Sequence, residues 1–409
     1  MKIGIRKKYL FYTLLIISSL IATVTTSIDS IISCFYIKNP WIFGMSIFFV
    51  GVIITILLSI FLSIPFGAKS IGSRIDPSFR RVRLIKKEEI GYHVMAGIGN
   101  TVTTLGYLYI LSVFVDPSAV LPFFQVVILY LLIVESLSEK DPPTLAEAES
   151  SIIVTFGAIM SSISLSGELN LTALLVIFLV INPGWVILAI HQRKLKLMRI
   201  DERPNDSINI RLWNIIFTAV FTSIIVFFYN RKYFFESIRA SCKYYPWLSL
   251  TMGVTFFSYI LYIRALGLGK ASISQAVKAS TIIFSIPFSI LLSRYMDFSF
   301  SASPTLLIIK LMGIILVVLG VATFALTEVK AYVFIDAKGG HSIKELMQEV
   351  WGIRGITAIS ALAGNHDMLA KIRIRTLGKG YERIIRKLEG IEGIERLSWQ
   401  SILKEWEKI

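Results

Sequence analysis

Ten apolar segments, each near the length of a bilayer-spanning helix, follow one another through residues 10–327. They fall at 10–28, 41–64, 91–112, 118–137, 150–166, 170–190, 212–229, 246–266, 271–292 and 304–327. A helix of about 20 apolar residues crosses the hydrocarbon of a membrane with its backbone hydrogen bonds made internally, which leaves such segments few other structures. The segment at 150–166 is the most dilute, carrying Ser161, Ser162, Ser164 and Ser166. The pattern predicts an all-α polytopic membrane domain of ten transmembrane helices.

Charge has to be read in that setting. Only 17% of residues are charged against 55% hydrophobic, where soluble domains carry roughly 25% charged residues. A net charge of +15 would suggest a nucleic-acid partner in a soluble protein. Here the basic residues gather in short loops, so no nucleic-acid partner is expected. Lys69, Arg74, Arg80, Arg81, Arg83, Lys86 and Lys87 fill the 65–89 loop; Arg193, Lys194, Lys196, Arg199, Arg203 and Arg211 fill the 191–211 loop. Basic loops face the cytoplasm, which places these loops and both termini inside and makes the chain a multi-pass protein of the cell membrane. The 229–245 loop, with Arg231, Lys232, Arg239 and Lys243, is a partial exception on the other side. The apolar run after Lys2, Arg6, Lys7 and Lys8 is too long for a signal peptide and reads as a retained first helix. Cys34 and Cys242 are too few for a disulfide scaffold, and form either one bond or two unrelated thiols.

Residues 106–160 have an echo at 258–316. Tyr109-Ile110 before the Asp116-Pro117-Ser118-Ala119 turn parallels Tyr262-Ile263 before Gly269-Lys270-Ala271-Ser272. Ile152-Ile153 with Gly157 parallels Ile308-Ile309 with Gly313. Five predicted helices separate equivalent positions, and an odd number gives the two halves opposite orientation. Such a 5+5 inverted repeat is a transporter signature, with the site between the halves.

The Tyr262–Arg294 hairpin with Pro287 resembles the drug/metabolite transporter superfamily in its EamA-like branch. So do the stretch from Ile181-Asn182-Pro183-Gly184-Trp185 to Arg193-Lys194 and the Gly313…Gly320 ending. The resemblance covers residues 10–327. It implies an inverted-repeat transporter with cytoplasmic termini and a central cavity for a small-molecule substrate.

Within the predicted spans, Lys278 is the most demanding residue. An ammonium at helix centre costs about 2.5–3.5 kcal/mol on insertion scales and is by default functional. Ser274, Gln275, Thr281 and Ser285 share its face, a polar stripe suited to a substrate carboxylate or phosphate. The structural alternative is a lysine paired with a neighbouring helix. Asp29 either pairs Lys278 across a cavity, takes up a proton as the coupling site, or is a helix-end carboxylate among headgroups. Asn182-Pro183-Gly184 interrupts its segment at mid-depth and reads as a broken helix at a binding site or a packed kink, with Trp185 placed to stack on substrate. Gln125, Asn100, Tyr107, Tyr259 and Tyr262 are polar groups in lipid-depth segments; one or two would orient a substrate and the others join helices. His93, His191, Arg264 and Lys310 read as anchors near helix ends. No nucleophile–base pair or metal-ligand spacing occurs, so neither enzyme chemistry nor a cofactor is expected.

The pattern changes at residue 330, dividing a transporter domain (1–329) from a tail domain (330–409). In the tail, Ala331–Ala337, Ile356–Leu362, the alternation Ala370, Ile372, Ile374, and Ile394–Leu403 read as strands. Ile343, Leu346, Met347 and Val350, then Tyr381, Ile384, Ile385 and Leu388, form helical stripes. Gly352-Ile353-Arg354-Gly355-Ile356 and Gly390-Ile391-Glu392-Gly393-Ile394 end the two helices alike. The order βαββαβ with internal symmetry predicts an α+β ferredoxin-like fold. The tail resembles the RAM domain of Lrp/AsnC regulators in Ala331-Tyr332-Val333, these helix exits, Gly364-Asn365-His366-Asp367 and the Leu403–Ile409 ending. That resemblance implies dimerisation through the sheets, hence a homodimer, and an amino-acid effector bound with the help of Gly364, Asn365, His366 and Asp367. On the residues alone, Asp367 either accepts an ammonium or merely caps the turn.

Taken together the sequence predicts a transporter of amino acids or related metabolites, an exporter, regulated by a cytoplasmic sensing domain. A membrane-anchored sensor or scaffold without transport is the alternative, and a lipid-handling transporter a third.

Overall fold

Asn39 shows how these segments start as helices. Its side-chain oxygen accepts the N–H groups of Trp41 and Ile42 at 3.0 and 3.2 Å, and Pro40, which has no N–H to satisfy, takes the first turn. The computed structural model describes residues 7–67, 69–113, 121–139, 143, 145–162, 171–284, 304–326, 329–353, 355–374 and 380–401. The chain forms two compact units, Met1–Ala322 and Thr323–Ile409.

The first unit is helical. Its elements are α1 (Lys7–Phe35), α2 (Pro40–Leu62), α3 (Lys87–Val113), α4 (Val127–Glu139) after a 3₁₀ turn (Leu121–Val126), and α5 (Leu145–Ser162). Next, α6 (Leu171–Val176) runs through a π turn (Ile177–Ile181) into α7 (Asn182–Leu197). α8 (Ser207–Tyr229), α9 (Arg231–Lys243), α10 (Tyr245–Leu266), α11 (Ala271–Lys278) and α12 (Pro304–Leu326) follow. Among the described residues, five helical stretches are long and apolar enough to cross a membrane: Tyr9–Ser33, Pro40–Leu62, Leu171–Leu197, Ser207–Tyr229 and Tyr245–Leu266. Phe123–Ser138 and Ile308–Thr323 are shorter apolar helices. The Asp116–Ala119 turn, Ser164, Ser166, Ser285, Pro287, Arg294 and residues 403–409 lie outside the described residues.

Small side chains set the helix packing. α1 and α10 exchange hydrogen bonds, Ser18 Oγ to the Ser258 carbonyl at 2.8 Å and Ser258 Oγ to the Ser18 carbonyl at 2.9 Å. α3 packs closely on α7, where a Cβ on Gly99 would meet the Gly184 carbonyl oxygen at 2.7 Å.

Four local expectations change. The 229–245 loop is largely the helix α9, capped by Asn230 Oδ1 on Lys232 N–H at 2.9 Å. It turns Arg231, Lys232, Arg239 and Lys243 outward and buries Ser237 and Ser241 against α2. Asp206, not residue 212, marks the start of α8: its carboxylate accepts Asn209 N–H at 2.7 Å, so Arg211 lies inside the helix. The helix at Asn182-Pro183-Gly184 is widened, not broken. The Pro183 ring crowds the carbonyl four residues earlier, and the preceding π turn makes room. The expected unbroken helix 271–292 is interrupted by a turn at Ala279-Ser280 before helix resumes over 281–284. Ser280 N–H goes to Val277 O at 3.1 Å and Ile282 N–H to Ala279 O at 3.0 Å, the tighter i→i+3 pattern, and Phe284 N–H to Ser280 O at 3.3 Å restores the i→i+4 bond. The hydroxyls of Thr281 and Ser19 donate to the Lys278 carbonyl oxygen, at 2.7 and 3.3 Å.

The second unit runs β5 (Val329–Ala337), α13 (Ile343–Trp351), β6 (Ile356–Ala361), β7 (Met368–Ile374), α14 (Gly380–Glu389) and β8 (Ile394–Ser401). Its antiparallel sheet has the strand order β6-β7-β5-β8. One sheet face gives Val333, Ile335, Met368, Ala370 and Ile372 to a core completed by Leu346, Val350, Ile384 and Leu388 from the helices. Two strand pairs, β1 (Pro65–Phe66) with β2 (Lys69–Ser70) and β3 (Arg199–Ile200) with β4 (Arg203–Pro204), belong to the first unit's basic loops.

Candidate functional site

Arg211 and Lys278, 67 positions apart in the sequence, meet over one aromatic ring. Arg211 Cζ stands 4.2 Å from the Tyr259 centroid and Lys278 Nζ 5.2 Å from it. Lys278 Nζ is also 4.6 Å from the centre of Tyr262. Tyr262 is buried and its hydroxyl donates to Gln275 Oε1 at 3.4 Å. Thus α8 supplies Arg211, α10 the two tyrosines, and α11 Gln275 and Lys278. Arg211 is only 2% exposed. In the sequence it sits among the basic residues of the 191–211 loop; the Asp206 cap is the signal that moves it into the helix.

The other candidates are dispersed. Asp29 does not face Lys278; its Oδ1 accepts the Thr251 hydroxyl at 2.6 Å. Ser19, which touches the Lys278 carbonyl, precedes Asp29 by ten residues on α1, or about 15 Å of rise. Asn182 is fully buried and donates its amide to the Phe123 carbonyl at 3.3 Å, joining the π turn to the 3₁₀ turn that holds Gln125. Asn182 Oδ1 has no partner among the described residues. Trp185 packs on the apolar cluster Ile110, Ala173, Ile177 and Ile181, which occupies part of its ring surface. Asn100 bonds Thr218 at 3.1 Å, a link between α3 and α8. His93 is not an end anchor: it is fully buried, 2.7 Å from Asn214 Oδ1. Cys242 is a free, exposed thiol.

A layer of matched charges binds the loops at one end of this unit. Glu135 on α4 accepts Arg193 at 2.9 Å and the N–H groups of Ala271 and Ser272 at 2.5 and 2.9 Å, so a carboxylate caps α11. Lys270 meets Glu147 at 3.1 Å. Asp76 accepts Lys196 at 2.6 Å and both Ser207 donors. Burial would raise the Asp76 carboxyl, but the Lys196 ammonium and Ser207 hold it below its ordinary value. Arg83 joins Glu89 at 2.6 Å and Asn205 at 2.9 Å, linking the 65–89 and 191–211 loops. Glu135 was legible as an ionisable residue inside an apolar segment; its partners were not.

In the second unit, Gly364 and Asn365 are exposed and His366 and Asp367 half-buried. Asp367 Oδ2 accepts Ala337 N–H at 2.7 Å, fixing the end of β5, and His366 Nδ1 lies 2.7 Å from Asp336 Oδ1. A hollow of about 320 Å³ opens elsewhere, lined by His341, Ser342, Glu345, Glu349 and Glu392 among others.

No family model matches the chain. No curated protein matches it either. One solved structure, described only as "Crystal structure of protein", is similar to it with a TM-score of 0.50 and 12% identity. The match covers 78% of this chain and 97% of that one, a likeness of fold alone.

Proposed function

We propose that the protein is a secondary transporter, an exporter of amino acids or related small metabolites. In this reading it is an EamA-like membrane domain of ten helices in a 5+5 inverted repeat, with both termini in the cytoplasm. The second unit is a ferredoxin-like, RAM-like domain that joins two copies and adjusts flux when an amino-acid effector binds. The observation that carries the reading is Lys278: an ammonium in an apolar segment, just before a two-residue interruption of the helix, against Tyr259 and Tyr262. Irregular backbone in such a segment is tolerated where it lines protein or a cavity, and the 3₁₀ turn holding Gln125 is its counterpart in the first half. Contact between the backbones of Gly157 and Gly313, equivalent positions in the two halves, further supports the repeat. The hydrogen bonding of Asp367 to Ala337 leaves an effector role to its second oxygen.

Flux through the full-length protein in proteoliposomes tests this. Labelled amino acids should cross, Lys278→Leu should abolish the movement while the protein stays folded, and an amino acid should shift the unfolding temperature of the full chain. Folded protein that moves no metabolite would leave the membrane-anchored sensor as the better reading. Regulation requires the effector to favour one transport state, and flux indifferent to every amino acid that binds would remove it.

A further inference from the structure

Among the described residues, four buried carboxylates of the first unit are each matched by a cation: Asp76 by Lys196, Glu89 by Arg83, Glu135 by Arg193, Glu147 by Lys270. The place around Tyr259 is different. Arg211 is 2% exposed and its Nε has no hydrogen-bond partner. Among the described residues no carboxylate pairs with Arg211 or with Lys278. Asp29 and Glu135 are engaged elsewhere, Asp29 by Thr251 and Glu135 by Arg193 and two backbone donors.

Magnitudes make this informative. A buried, uncompensated charge carries a large desolvation cost, and a cation–π contact recovers only part of it. Two cations on one ring, at 4.2 and 5.2 Å from its centroid, also stand less than about 10 Å apart and repel each other. Tyr259 therefore offsets only part of the cost. An anion between the two would offset the remainder, accepting the planar guanidinium fork on one side and the ammonium point charge on the other.

We infer that Arg211 and Lys278 are the two arms of a binding site for a small anion, the carboxylate or phosphate group of the transported metabolite. Tyr259 is the shared wall, and the Tyr262–Gln275 pair lies alongside. The inference deepens the transport reading and rests on it for the word transported; anion binding stands independently. Its consequence is selectivity: acidic metabolites are accepted, and cationic ones such as lysine are rejected by two like charges.

Full-length protein in detergent, titrated at constant ionic strength with succinate, inorganic phosphate, leucine and lysine, provides the test by calorimetry and thermal shift. Succinate and phosphate have no ammonium group for the Gly364–Asp367 loop to recognise, so the second unit does not confuse the readout. Succinate or phosphate should bind saturably, and lysine should not displace it. Arg211→Gln and Lys278→Gln should each weaken the anion by at least about tenfold, with Arg211→Lys recovering part. The inference is overturned if neither succinate nor phosphate binds saturably, if lysine displaces the bound anion, or if both glutamine variants keep wild-type affinity for it. Should the variants misfold, saturable anion binding that lysine does not displace still decides. Anion binding without flux keeps the site and removes the transporter; flux unaffected by anions and by Arg211→Gln keeps the transporter and removes the site.

Discussion

Gly157 of α5 and Gly313 of α12 pack backbone to backbone. A Cβ on Gly157 would lie 2.7 Å from the Gly313 carbonyl oxygen, and one on Gly313 would lie 2.6 Å from the Gly157 carbonyl oxygen. Neither helix can yield without separating, so Gly313→Ala should destabilise the protein by about 1–3 kcal/mol through overpacking. Gly253→Ala is the control: nothing lies within 4 Å of its Cβ position, and a helical alanine there should be neutral or stabilising by up to about 1 kcal/mol. Thermal unfolding in detergent compares the two.

Glu135→Ala should be more damaging than either. It leaves Arg193 and two backbone donors at the start of α11 without their acceptor. Breaking one side of a buried pair costs about 3–5 kcal/mol. Glu135→Gln keeps an acceptor and should fall between, and a denaturant series on the three proteins measures the order.

Acid unfolding reports on Asp76. Because Lys196 and Ser207 hold its carboxyl below the ordinary value, its contribution is complete above about pH 4 and is lost as pH falls through the folded value. Burial raises Asp206, so that residue acts in the opposite sense: its contribution is present at low pH and fades as pH rises through its raised value. Asp76→Asn should flatten the acid limb of the stability–pH curve and lower stability at neutral pH. An unchanged acid limb in the variant would remove Asp76 from this role.

The two-residue turn between β3 and β4 stores strain. Asp201 and Glu202 both adopt positive φ, 49° and 62°, in a turn usually given to Asn-Gly. Glu202→Gly should stabilise the protein by about 1 kcal/mol by removing the Cβ penalty. Equilibrium unfolding of that single variant is sufficient, with Asp201 kept because it pairs with Lys86 at 2.8 Å.

Much of this chain is legible locally. Apolar runs of about 20 residues admit little but helix in a bilayer, and alternation in Ala370, Ile372 and Ile374 places a strand in which Ala370 and Ile372 are buried. Caps at Asn39, Asp206 and Asn230 rest on short-range hydrogen bonds that a sequence encodes. The widening before Pro183 likewise follows from a ring and a carbonyl one turn apart.

What no local pattern reveals is which polar groups meet. Asp29 and Lys278 have opposite charges and suitable segments, yet Asp29 rides α1 to Thr251 while Lys278 meets the aromatic wall of α10. Arg211 looked like one more basic loop residue until the fold buried it on Tyr259. Helix formation depends on neighbours within a turn or two. Pairing of buried charges depends on helix rotation and depth, set by contacts between residues far apart in the chain, and only the tertiary structure decides it.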